Sequence, residues 1–140
     1  MKKIVILLAA FGALLMAGVA AFLYLYEPDG SAERSEIVGS WYGSRGARLT
    51  FREDGTLTAV GVPAGFSDDH EPVNPFTGEG TWTLEKKPKL GDQEIHLFLG
   101  DAAHSTVGTW MEIRGKGARD GLCMPFNADT VKGFTFKRSS

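Results

Sequence analysis

The chain has 140 residues, with 15 Lys and Arg against 17 Asp and Glu for a formal charge of −2, and a single cysteine. Phosphate binding needs concentrated basic surface, so no nucleic-acid partner is expected, and one thiol excludes an internal disulfide. The chain lacks a Gly-x-Ser-x-Gly elbow, a cysteine pair and a His-x-x-x-His spacing, so no catalytic residue, cofactor or metal site is expected.

The chain opens with Met1-Lys2-Lys3, followed by an uncharged, mostly apolar run from Ile4 to Tyr26. As a helix this run reaches roughly 34 Å, enough to cross a hydrocarbon core of about 30 Å. Lys2 and Lys3 on one flank against Glu27, Asp29 and Glu33 on the other predict a single-pass membrane segment over 1–26. Its N-terminus is expected to be cytoplasmic, and the C-terminal domain to be exported to a periplasmic or extracellular space. The alternative is a cleaved signal peptide ending near Gly18-Val19-Ala20. The apolar run continues past that point, and Tyr24 and Tyr26 suit a headgroup zone. Without Lys2 and Lys3 the exported part keeps 13 basic and 17 acidic side chains, a formal −4. Residues 27–35 have no apolar periodicity and read as a linker, leaving 36–140 as one domain.

From Glu36 onward the pattern has a period of two. Arg48-Leu49-Thr50-Phe51-Arg52 alternates, Asp54-Gly55 supplies a tight turn, and Thr56-Leu57-Thr58-Ala59 resumes the alternation, which marks a β-hairpin. The same period recurs at Thr81–Glu85, Glu94–Leu99 and Gly133–Lys137. Strands are expected near 37–43, 46–53, 56–61, 79–86, 93–99, 106–114, 119–125 and 131–138. Eight short strands with glycine-rich turns predict an all-β antiparallel meander that closes on itself, since closure removes exposed sheet edges. The long connection from Val62 to Gly78, with three prolines and Asp68-Asp69-His70-Glu71, is expected as a surface loop and a candidate lid. His70 and His104 lie near acidic residues without converging spacing. His96 alternates with Ile95 and Leu97 and belongs on the outward face. Cys123 is expected to be buried.

Gly39-Ser40-Trp41 opening the first strand, the Asp-Gly hairpin behind it, Gly80-Thr81-Trp82-Thr83-Leu84, and the closing Phe134-Thr135-Phe136-Lys137-Arg138 together resemble small exported bacterial lipocalin-like domains of the calycin group. The resemblance implies that Trp41 lies across the closed end of a barrel, with Gly39 before it, and that Lys137 or Arg138 stacks on its ring. Gly39-Ser40-Trp41-Tyr42 is also similar to the start of the avidins. Gly43 stands where they carry the asparagine that holds biotin, so biotin is not expected.

The calycin resemblance further implies a non-enzymatic domain that binds a small apolar or amphipathic molecule. Leu49, Phe51, Leu57, Phe66, Trp82, Leu84, Ile95, Leu97 and Phe134 would line its cavity. Those residue types equally suit a filled core, so the alternative is an envelope protein-interaction or assembly module without a ligand. Trp110 lies on the opposite face from Met111 and Ile113 and is a candidate partner contact.

Overall fold

The computed structural model describes residues 30–101, 103, 105–127, 129, 130 and 132–138. The expected membrane segment over 1–26, the first residues of the linker and His104 lie outside the described residues. Among the described residues, no helix is long and apolar enough to cross a membrane.

Eight antiparallel strands form the sheet, and each follows from the alternation in its sequence. They are β1 (Gly39–Tyr42), β2 (Arg48–Phe51), β3 (Thr56–Val62), β6 (Phe76–Leu84), β7 (Glu94–Leu99), β8 (Val107–Arg114), β9 (Gly121–Pro125) and β10 (Gly133–Phe136). Hydrogen bonding runs in the order β1-β2-β3-β6-β7-β8-β9-β10. The two outer strands meet where Tyr42 N donates to Lys137 O at 2.7 Å and Lys137 N donates to Tyr42 O at 2.8 Å. That single bridge makes the sheet a nearly closed barrel.

The β2–β3 turn shows the local chemistry. Asp54 Oδ1 accepts from Thr56 N at 2.9 Å and from Thr56 Oγ1 at 2.6 Å. Gly55 takes φ 89°, a left-handed conformation that a side chain would strain. Asp54 is thereby held below the usual carboxylate range, mainly by the Thr56 hydroxyl.

One rim is closed by a short helix, α1 (Arg34–Ile37), whose Ile37 is buried. Trp41 Nε1 donates to Ile37 O at 2.8 Å. The Arg138 guanidinium lies 4.4 Å from the Trp41 ring centroid and donates to the carbonyls of Val38 and Glu36, so of the two expected cations Arg138 takes the stacking role. A second stack mirrors it, with Arg34 lying 4.2 Å from the Trp82 centroid and donating to Glu53 O. Trp82 Nε1 donates to Arg52 O at 2.9 Å. Two cation-capped indoles thus fix the helix across the rim, each stack contributing about 0.5–2 kcal/mol depending on burial.

Two stretches carry more structure than their sequence announces. The stretch read as a linker is not free over its described part. Gly30 N donates to Asp92 Oδ1 at 2.7 Å, Ala32 N to Gln93 Oε1 at 2.9 Å and Gly117 N to Ser31 O at 2.7 Å, and Ala32 is buried. The partners are backbone groups and distant polar side chains, which apolar periodicity does not register. The long connection is also more than a loop. It carries a small hairpin, β4 (Gly65–Phe66) paired with β5 (Pro72–Val73), and β6 begins at Phe76 rather than 79. Ser67 N donates to Glu71 O and His70 N to Ser67 O, each at 2.9 Å, closing the hairpin's turn.

Candidate functional site

The residues expected to line a cavity come together in one cluster inside the barrel. Leu49, Leu57, Ile95 and Leu97 are 0 % exposed, as are Val62, Met111, Ile113 and Phe136 around them, and Phe51 and Trp82 are 1–2 % exposed. A hollow wide enough for one water beside any of the first eight would leave part of its surface accessible, and none is. Phe51 and Trp82 meet edge to face at 5.2 Å between centroids, and Phe134 and Phe136 meet at 5.2 Å. Leu84 packs half-buried against this cluster. Gly43 shows how tightly the wall is filled, because a Cβ there would lie 2.6 Å from Phe134 Cε1.

At the rim opposite α1, the β4–β5 hairpin folds over the barrel. Phe66 meets Phe126 edge to face at 5.0 Å, His70 stacks on Phe126 at 4.6 Å, and Arg45 pairs with Glu71 at 2.6 Å on an exposed surface. Beneath it lies a hollow of about 170 Å³, lined by Phe66, Trp110, Met124 and Phe126 among others. Of the nine expected lining residues, Phe66 borders this hollow. Phe134 borders a larger but more open one of about 310 Å³ beside Arg45 and His70.

The outer wall of β7 and β8 differs from the rest of the barrel. Phe98 is 45 % exposed and Trp110 38 %, and Phe98 pairs with Gly108, which offers no side chain to cover its ring from that side. Trp110 is exposed as its alternation predicts. Phe98 carries the same signal, sharing a face with His96, although the sequence reading did not single it out. Toward the α1 rim the same wall turns acidic. Glu85, just past the end of β6, Glu94 on β7 and Glu112 on β8 occupy neighbouring positions, since Glu85 N donates to Glu94 O and Glu94 pairs with Glu112. Arg114 bridges Asp92 at 2.5 Å and Glu112 at 2.8 Å.

Glu112 titrates above its ordinary range. Partial burial raises it more than Arg114 lowers it, and the charges of Asp92 and Glu94 add to the rise. Arg114 is likewise pushed up. Burial opposes its charge, but the Cys123 sulfur and the two carboxylates outweigh that. Cys123 is buried as expected, on the outer side of β9 between Glu112 and Thr135 in register.

Comparison of the chain with protein-family models, with curated proteins and with solved structures gives no match in any of the three. The nearly closed eight-stranded antiparallel barrel, with its arginine-capped tryptophan at the closed rim, is compatible with a lipocalin-like fold.

Proposed function

We propose that the chain is a membrane-tethered, extracytoplasmic, lipocalin-like barrel serving as a protein-interaction or assembly module of the cell envelope, with a filled interior and β7–β8 as its contact face. One observation carries the reading, namely that the inward side chains Leu49, Leu57, Ile95 and Leu97 have no accessible surface and so border no cavity. A carrier needs a site of about 300 Å³ or more. Meanwhile the aromatic side chains Phe98 and Trp110 stand uncovered on the wall, and Trp and Phe are enriched where proteins meet. Native mass spectra of the full-length chain, expressed in a host with an export pathway and released gently from membranes, test the reading. The expected spectrum is the uncleaved chain carrying a second protein. Trp110→Ser should abolish that complex without lowering the thermal midpoint. A discrete small added mass counts against the filled barrel, and loss of the first twenty or so residues counts against the tether.

A second reading draws on the hollow beneath the β4–β5 hairpin, whose aromatic lining suits a small apolar molecule at the mouth. Its volume of about 170 Å³ falls short of usual ligand sites, which places it second. Saturable binding of a fluorescent naphthylamine, lost in Phe66→Ala, would reverse the order.

A further inference from the structure

We infer that Glu85, Glu94 and His96 form a surface binding site for a first-row divalent cation such as Zn²⁺. Glu94 and His96 stand two residues apart on β7 and so share its outer face, and Glu85 is held opposite Glu94 by the 3.0 Å bond from its own N–H to Glu94 O. The ligating atoms of the three residues all lie within 4.8 Å of one another. His96 Nε2 lies 3.4 Å from Glu94 Oε2 and 3.7 Å from Glu85 Oε2. Both distances exceed the N–H···O hydrogen-bond range of about 2.7–3.2 Å. They come close to the spacing of ligands on a shared ion, because atoms about 2.1 Å from one metal at octahedral to tetrahedral angles stand roughly 3.0–3.4 Å apart. The backbone register thus gathers three donors within reach of one ion.

Charge favours the same occupant. Like charges directly opposite across strands are destabilising, and Glu94 faces a carboxylate on each side, Glu85 and Glu112. Arg114, the nearby cation, is engaged by Asp92 and Glu112. His96 faces both remaining carboxylates, but an imidazole carries charge only when protonated. In its neutral form it offers Nε2 as a lone-pair donor beside two anions. One imidazole and two carboxylates suit first-row divalent ions better than Mg²⁺ or Ca²⁺, which prefer oxygen ligands alone. Three protein ligands leave at least one coordination position for water or for a group supplied from outside. The site stands whether or not a protein docks on β7–β8.

Calorimetric titration of Zn²⁺ into the full-length chain in detergent micelles tests the site, with Mg²⁺ as the control ion. One Zn²⁺ per chain is expected, at least about tenfold weaker in Glu94→Gln and in His96→Gln, and unchanged in His70→Gln. Near-UV circular dichroism checks that the variants fold. Glu85→Gln, just beyond the end of β6, serves if a β7 variant does not fold. Absence of saturable one-to-one binding, or binding that His96→Gln or Glu85→Gln leaves intact in a folded variant, overturns the assignment.

Discussion

Arg138 illustrates how much a single exposed side chain contributes when its geometry is fixed. Its guanidinium covers the Trp41 ring and at the same time satisfies the carbonyls of Glu36 and Val38 at the C-terminal end of α1, groups that a helix end otherwise leaves to water. Arg138→Ala should therefore lower stability by about 1–3 kcal/mol, read from the urea denaturation midpoint. Arg138→Lys should recover only part of the loss, because an ammonium lacks the planar fork that stacks and bonds at once. The partner of Trp41 was legible in the sequence to within two neighbouring residues. The equivalent stack of Arg34 on Trp82 was not, because Arg34 sits in a stretch with no periodic pattern and reaches its ring only through the folded path of the chain.

At the scale of the element, the β2–β3 hairpin depends on one carboxylate. Asp54 is depressed in the folded state by its bonds to Thr56, so its stabilising contribution is present above the unfolded value of about 3.8 and is lost as pH falls through the lower folded value. The advantage of the wild type over Asp54→Asn, measured by denaturation across pH, should be constant near neutrality and shrink below about pH 3.8. This hairpin and the other strands of the barrel were readable because alternation with period two and an Asp-Gly turn are local signals. The β4–β5 hairpin was not, since its two-residue strands are too short to alternate and Pro72 argues against a strand. The trio Glu85, Glu94 and His96 escaped for a different reason. Two of its members are adjacent on one strand face, but the third is brought in by cross-strand register, which spacing along the chain does not encode.

For the whole molecule, the question is whether the interior holds anything besides protein. The alternation assigned Leu49, Phe51, Leu57, Trp82, Ile95, Leu97 and Phe134 to the inside, and all seven are buried there. Sequence could not decide between lining and filling, because both call for the same apolar side chains and differ only in their summed volume against the barrel's radius. Leu97→Ala puts a number on the difference. It should destabilise the domain by about 2–5 kcal/mol and leave an apolar void. Such voids stay dry and accept xenon, so the variant should gain a xenon site, detected by xenon-induced chemical-shift changes, that the wild type lacks. A wild-type chain that already takes up xenon would contradict the filled interior.

The bridge between Tyr42 and Lys137 has a consequence for the molecule's durability. Every other seam of the barrel is stitched along several residues, whereas this one is held by a single reciprocal pair of hydrogen bonds, with the Arg138 stack as its clasp. Breathing of the wall therefore starts there, and a parted seam turns a barrel without edges into a sheet with two raw ones, β1 and β10. Both are only four residues long, and the second runs directly into two cations, Lys137 and Arg138. Short, charged margins are poor templates for a foreign strand, so the weakest join in the wall is also the one least able to recruit a stray chain into an aggregate.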